Sequence, residues 1–220
     1  MNLELETKQT RDYKTVVEFI KDFNFQRKDE NGDDLYIFSN VKWLEYENLL
    51  EDIGDISWCR ISYLDGLLEI MAPGRKHERI KEFTGSLIAT YCDEKEIDYF
   101  PFGSTTLKNE KSQVGKEPDT SYAIEIDKEF PDIAVEVNQT SGSINDLEKY
   151  KRLGIQEVWI WDKNNNLEFY ILTNNEYRKS SQSNFFNKIK SDTIQKYVKI
   201  MEEKGPRIGK KEFIKMINSL

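Results

Sequence analysis

The stretch that decides the fold is FPDIAVEVNQTS, residues 130–141. Its centre, Ile133 to Val137, is a β-branched apolar run typical of a strand buried on both faces, yet it contains Glu136. A single glutamate in a strand usually faces solvent or pairs with an arginine, because carboxylates are rarely buried without a partner. The pattern alone therefore leaves a solvent-facing or paired Glu136 and a functional Glu136 both open.

The residues after this stretch predict a helix and a second strand. Residues 144–153 have a helical pattern that Gly154 ends, and residues 158–161 form the next apolar run. A strand, a helix and a strand in this order predict a right-handed crossover and a parallel pair of strands. The sheet should therefore be mixed.

The rest of the chain predicts further helices and hairpins around this unit. The expected elements are an amphipathic helix at 12–23, a helix capped by Ser39 or Asn40 and ended by Gly54, a hairpin of residues 58–63 and 67–71 about Asp65-Gly66, a helix from Arg75 to Tyr91, strands at 99–107 and 119–126, a hairpin at 167–177, and helices at 192–204 and 211–220. These elements predict an α/β fold, divided into an N-terminal arm or helix at 1–38 and a single domain at 39–220.

Composition narrows the classes of function. The chain has one histidine, His77, and its two cysteines, Cys59 and Cys92, lack the spacing of a metal site, so zinc, a Cys/His nucleophile and a disulfide framework are disfavoured. The net charge of −8 argues against nucleic-acid binding through bulk electrostatics. No apolar run approaches the roughly 18 residues of a membrane span, and we expect a soluble, cytoplasmic protein with no membrane partner.

Two acidic residues form the candidate site. Asp119 opens one predicted strand and Glu136 lies within the next, so pairing of the two strands would bring their carboxylates side by side. Carboxylate oxygens are ligands that Mg²⁺ prefers, and Mg²⁺ can activate a water against a phosphodiester. Asp119 follows a proline, however, and a turn residue is the alternative. A glycosidase-like pair of carboxylates is disfavoured, since no motif supplies its acid and base.

Several separated motifs resemble those of a known nuclease family. The stretches LDGLLEIMAPGRKHE, GSTTLKNEKSQVGKEPDTSYAI and PDIAVEVNQTS, followed by KYKRLGIQEVWIWD and YILTNNEY, occur in the order typical of the Uma-type restriction endonuclease family, in its cyanobacterial variety. The family belongs to the PD-(D/E)XK nuclease superfamily. The resemblance covers about residues 40–220.

The resemblance implies a fold and a reaction. The fold would be an α/β restriction-endonuclease-like core with a mixed central β-sheet flanked by helices, to which the N-terminal helix and the β-hairpin are additions. Asp119 and Glu136 match the two acidic motif positions and would bind Mg²⁺ or Mn²⁺, while His77 and Glu78 match the family's histidine-containing segment. The substrate would be DNA, and a homodimer remains open.

The chain departs from the superfamily pattern at the lysine. Two positions after Glu136 stands Asn138, and the position four residues before Tyr150, where the family often carries its lysine, holds Asp146. Lys149 lies about one helical turn after Asp146 near the same face, and we assign it the role of orienting the nucleophile or offsetting the developing charge. A solvated surface lysine is the alternative.

Other polar residues are candidates for contact with nucleic acid. Arg75 and Lys76 begin a local basic patch that continues to Arg79 and Lys81; a solvated helix face is the alternative. Gln139 and Thr140 could hydrogen-bond a phosphate, or form an ordinary strand exit and helix cap.

The sequence therefore predicts a Mg²⁺-dependent DNA endonuclease, with Asp119, Glu136, Lys149, Glu78 and His77 as its site residues. The rival function is that of a nuclease fold that has lost catalysis and serves as a nucleic-acid-binding or assembly module. The displaced lysine favours that rival.

Overall fold

A computed structural model describes residues 32–54, 58–138 and 145–220 of the chain. The described strands are β1 (Asp34–Phe38), β2 (Arg60–Leu64), β3 (Leu67–Ala72), β4 (Tyr99–Pro101), β5 (Leu107–Asn109), β6 (Val114–Lys116), β7 (Thr120–Ile124), β8 (Ile133–Val137), β9 (Glu157–Trp161), β10 (Leu167–Thr173) and β11 (Glu176–Ser180). The described helices are α1 (Trp43–Ile53), α2 (Arg75–Lys95), α3 (Asp146–Leu153), α4 (Ser191–Lys204) and α5 (Pro206–Ile217). None of these helices is long and apolar enough to span a membrane.

The strands form two sheets. The six-stranded sheet has the order β11-β10-β9-β8-β7-β4, and the five-stranded sheet has the order β1-β3-β2-β6-β5. In the six-stranded sheet β8 and β9 are parallel, with α3 between them along the chain, and the other pairs are antiparallel. The predicted α/β fold with a mixed sheet is therefore confirmed.

The two faces of β8 contact different layers of the molecule. Ile133, Val135 and Val137 pack in a core that includes residues of α2, α4 and α5. Ala134 instead packs with Tyr150 of α3 and with apolar residues of the five-stranded sheet. Because side chains alternate along a strand, Glu136 shares the face of Ala134 and points toward α3.

Several local predictions are confirmed. The Asp65-Gly66 turn joins β2 and β3, and residues 174–175 turn β10 into β11. Gly54 and Gly154 follow the last residues of α1 and α3 with φ of 58° and 76°, a left-handed region that favours glycine.

Other local predictions are wrong. Neither Ser39 nor Asn40 caps α1, which begins at Trp43 after Lys42; there the Glu45 carboxylate accepts the Lys42 backbone N–H. The expected strand at 99–107 is split between β4 and β5, and the last helix begins at Pro206 instead of residue 211.

Residues 34–38, which we assigned to the N-terminal arm, form β1 and pair with β3 in the five-stranded sheet. The helix expected at 12–23 lies outside the described residues. The short strand β6 was not predicted, and only the first residue of β5 was, because three residues are too few to show an alternating pattern.

Candidate functional site

Asp119 and Glu136 lie next to each other across two paired strands. Thr120 of β7 pairs with Val135 of the antiparallel strand β8. Asp119, which precedes Thr120, therefore lies opposite Glu136, which follows Val135. The Val137 backbone N–H donates to Asp119 Oδ2 at 2.8 Å, which fixes one carboxylate to the backbone beside the other. Both side chains are buried. The structure therefore brings together the two carboxylates that the sequence singled out.

Each oxygen of Glu136 has a protein partner. The Tyr150 hydroxyl of α3 donates to Oε1, and the Lys116 ammonium lies 3.1 Å from Oε2. Burial, together with the charges of Asp119 and Asp146, raises the pKa of Glu136 to about 8, although Lys116 acts to lower it. Without a further cation, Glu136 therefore holds a proton at neutral pH.

His77 connects Asp119 to the segment before β1. Its Nε2 lies 2.9 Å from Asp119 Oδ1, and its Nδ1 lies 3.1 Å from Asp33 Oδ2. Burial acts to lower the pKa of His77, but the two carboxylates outweigh burial and raise the pKa to about 10. Burial likewise acts to raise the pKa of Asp119, but His77 and Lys116 hold that pKa below its usual value. His77 and Asp119 are therefore a buried ion pair.

Lys149 is buried, and its ammonium contacts the five-stranded sheet. It donates to Ser62 Oγ of β2 at 2.8 Å and to Glu69 of β3, and it lies 4.0 Å from Asp146 Oδ1. Burial lowers the pKa of Lys149. Its side chain is 1 % exposed, so Lys149 is not a solvated surface lysine.

Sequence reasoning missed a second buried lysine, Lys116. It ends β6 of the five-stranded sheet, and its ammonium lies 3.1 Å from Glu136 Oε2 and 3.2 Å from Asp146 Oδ1. The nearby carboxylates, Asp146 first, raise its pKa despite burial, so Lys116 is charged. The only sequence signal was that Lys116 stands three residues before Asp119, since β6 is too short to show a strand pattern.

Glu69 was also missed, although the signal was the one that identified Glu136. It is a carboxylate within the apolar run Leu67–Ala72, and its side chain is buried. Its Oε2 accepts a hydrogen bond from Ser62 at 2.7 Å as well as the bond from Lys149.

Buried ion pairs link the residues of the site. In the part of the chain that the structure describes, His77, Lys116 and Lys149 pair with Asp33, Glu69, Asp119, Glu136 and Asp146.

The donor set fits Mg²⁺ or Mn²⁺. Within the described ranges, no group of three His, Cys, Asp or Glu side chains is arranged to hold a metal ion. Mg²⁺ is usually bound through one or two carboxylates, with water and substrate oxygens as its other ligands. Asp119 and Glu136 supply two such carboxylates, side by side and buried.

Two cavities adjoin the pair of carboxylates. Glu136, Lys116 and Asn138 line a cavity of about 30 Å³, which has room for an ordered water. Asp119 instead lines an open groove of about 410 Å³ between α2 and the strands β4 and β7, whose other walls include Lys81, Tyr99 and Tyr122. Asp119 therefore lies at the wall of the larger groove, whereas Glu136 lines the smaller cavity.

The remaining predicted site residues lie near the surface at the start of α2 or outside the described ranges. Glu78 is 38 % exposed and pairs with Lys81 and, at 3.7 Å, with Arg60. Arg75 is exposed at the start of α2, and Lys76 is half-buried beside it. Gln139 and Thr140 lie outside the described residues.

Comparisons with known proteins identify the family. The sequence model of the Uma2 family, described as "Putative restriction endonuclease", matches residues 43–198, which is more than half of the chain. A comparison with curated proteins gives no match. Among solved structures, the chain is similar to a "putative nuclease belonging to DUF820" from Anabaena variabilis ATCC 29413, with 16 % identity, a TM-score of 0.48, and coverage of 63 % of this chain and 90 % of the other. The match to the family model shows that the chain belongs to the Uma2 family of putative restriction endonucleases.

Proposed function

We propose that the protein is a Mg²⁺- or Mn²⁺-dependent endonuclease that hydrolyses phosphodiester bonds in DNA. The observation that carries the proposal is the buried pair of Asp119 and Glu136, which adjacent strands hold side by side, in a chain of the Uma2 family of putative restriction endonucleases. Asp119 and Glu136 would hold the cation. When bound, the cation would supply Lewis acidity, which activates water and stabilises the leaving oxygen.

The other residues of the site orient these two carboxylates. His77 holds one oxygen of Asp119 while the Val137 N–H holds the other, so the carboxylate has one orientation. Tyr150 and Lys116 do the same for Glu136. Such fixed groups need little reorganisation when charge develops in the transition state.

The rim residues have roles in substrate contact. Glu78 is exposed enough to act through a water, and Arg75 and Lys76 would contact phosphates. Gln139 and Thr140 remain proposed phosphate contacts. The substrate would enter along the groove that Asp119 lines.

The test is cleavage of single- and double-stranded DNA at low salt, since the net charge of −8 weakens binding as salt rises. We expect cleavage in Mg²⁺ or Mn²⁺ and none in Ca²⁺ or EDTA, and loss of cleavage in Asp119→Asn. Metal binding is measured separately: Mn²⁺ should broaden the imidazole NMR signals of His77, the single histidine of the untagged chain. Absence of cleavage with both metals would overturn the proposal.

A second candidate function is a nuclease fold without catalysis that binds nucleic acid. It is favoured by Asn138 and Asp146, which stand at the two positions where the motif carries lysine. Its signature would be DNA binding that is unchanged by Mg²⁺, with no cleavage on any substrate. Mg²⁺-dependent turnover that Asp119→Asn removes would exclude it.

A further inference from the structure

We infer that Lys116 acts at Glu136 in place of the missing motif lysine. The inference rests on the proposed function, because it gives Lys116 a role in the same site. Nothing in the nuclease motif predicts a lysine from this position, since Lys116 precedes both acidic residues and lies in the other sheet.

The path of the chain explains how Lys116 reaches Glu136. Lys116 ends β6, and Asp119 immediately precedes β7, so residues 117–119 cross from the five-stranded to the six-stranded sheet. Lys116 and Asp119 therefore enter the site together at this crossing. The Lys116 ammonium lies between Glu136 and Asp146, at 3.1 and 3.2 Å from their oxygens.

The side chain of Lys116 lines the same small cavity as Asn138, the position where the motif carries its lysine. Asn138 follows Glu136 by two positions, so the two side chains share a face of the strand. Its backbone N–H donates to the Trp161 carbonyl at 2.8 Å, which keeps this residue alongside β9. Lys116, Glu136 and Asn138 line the same small cavity. An ammonium group from either position would thus lie beside Glu136.

Lys149 is held elsewhere. Its ammonium donates to Ser62 and Glu69, which tie it to the β2–β3 hairpin. Its contact with Asp146 is at 4.0 Å, against 3.2 Å for Lys116. Lys149 therefore neutralises Glu69, and Lys116 is the lysine in contact with a proposed metal ligand.

The test compares Lys116→Met with the rival variant Lys149→Met. The matched control is Lys128→Met, which removes a lysine paired with Asp132 on the loop before β8. Mn²⁺ affinity is measured from the broadening of the His77 imidazole signals, and kcat and KM are measured on a DNA substrate. Removing a positive charge beside Glu136 should raise Mn²⁺ affinity by about tenfold or more. It should also lower kcat by about a hundredfold with KM nearly unchanged.

The rescue variant is Lys116→Met with Asn138→Lys, which returns an ammonium group to the shared cavity. It should recover much of the lost kcat and return the Mn²⁺ affinity toward that of the wild type. A lysine that only supported the fold would show lower stability without a rise in metal affinity. If Lys116→Met does not fold, Asn138→Lys in the wild-type background provides the opposite test. It adds a second ammonium group beside Glu136, which should weaken Mn²⁺ binding by about tenfold.

The outcomes separate this inference from the proposed function. Unchanged kcat and Mn²⁺ affinity in Lys116→Met, or the expected changes in Lys149→Met instead, would overturn the inference alone. A wild-type protein that binds Mn²⁺ but cuts no DNA would overturn the proposed function, and the affinity measurements would still identify the cation at Glu136. A protein that neither binds Mn²⁺ nor cuts DNA would overturn both.

Discussion

The six-stranded sheet and the five-stranded sheet contribute differently to the site. The six-stranded sheet carries Asp119 and Glu136, which adjacent strands hold side by side. The five-stranded sheet carries Lys116 and Glu69, which reach the site only because the two sheets pack together. The positions of Asp119 and Glu136 are fixed by backbone pairing between strands. The positions of Lys116 and Glu69 relative to them depend on tertiary packing.

Helix α3 connects the two sheets at this point. Tyr150 donates to Glu136 of the six-stranded sheet, whereas Lys149, one residue earlier, donates to Glu69 of the five-stranded sheet. Asp146, at the start of the same helix, lies near both lysines. The charges of the site therefore link the two sheets and the helix, and substitutions of different members should affect cleavage and stability to different extents.

The largest expected effect is on cleavage, from substitutions on the six-stranded sheet. Asp119→Asn and Glu136→Gln should each lower cleavage in Mg²⁺ by about a thousandfold or more, because each removes a proposed metal ligand. Their effects on stability should differ. Gln replaces a Glu136 that is already protonated at neutral pH without metal, so the melting temperature in EDTA should change little. Asp119→Asn removes the buried ion pair with His77 and should therefore lower the melting temperature in EDTA.

Thermal melts in EDTA beside cleavage assays would check this contrast. If both variants melt together with the wild type and still cut DNA, the two carboxylates are not the site. If Glu136→Gln unfolds, Glu136 has a structural role that its protonated form does not explain.

The comparison of the sheets also explains what the sequence could predict. Asp119 and Glu136 were predictable because a local pattern, a carboxylate at or within an apolar strand, coincides with a motif. The cations were not predictable, because the distance from Lys116 to Glu136 depends on how two sheets pack, and no pattern within either strand encodes that distance. The contacts of Lys149 with Ser62 and Glu69 could not be predicted from helical periodicity, since periodicity gives the direction of a side chain and not the group it meets.

The next effect is on stability, from the ion pair between Lys149 of α3 and Glu69 of the five-stranded sheet. Lys149→Met should lower the free energy of unfolding by about 3–5 kcal/mol, because it leaves Glu69 buried without its ammonium partner. The double variant Lys149→Met with Glu69→Met should recover much of this loss, because two apolar groups can replace a buried ion pair. Urea unfolding curves measure both. A single variant as stable as the wild type would mean that Glu69 takes up a proton at little cost.

A smaller effect concerns the pH dependence of the metal-free protein. The folded-state pKa of Glu136, about 8, lies above its ordinary value of 4.5, and that of His77, about 10, lies above 6.5. Each group therefore contributes stability that is complete below its ordinary pKa and is lost as pH rises through the folded-state value. In EDTA the melting temperature should fall as the pH rises from about 5 to 10, most steeply where both groups contribute.

Glu136→Gln is the control for this pH dependence. In EDTA it should remove the contribution of Glu136 to the fall in melting temperature below about pH 8, and the contribution of His77 should remain. Excess Mg²⁺ should stabilise the wild type more at pH 9 than at pH 6, because binding at low pH must displace the proton on Glu136. A melting temperature that rises with pH over this range in EDTA would contradict the assigned charges.

The smallest expected effect concerns the helix α2, which supplies His77 and the basic residues Arg75 and Lys76. Arg75→Ala and Lys76→Ala should each reduce the slope of log affinity for DNA against log salt by about one, since each would remove a single phosphate contact. Binding is measured in Ca²⁺ to prevent cleavage, with Lys199→Ala as control, because Lys199 is 73 % exposed on α4 and carries the same charge. Equal reductions in all three variants would indicate bulk attraction, which a chain of net charge −8 should not show. A change confined to Arg75 and Lys76 would place the DNA at the start of α2, beside the helical turn that holds His77 against Asp119.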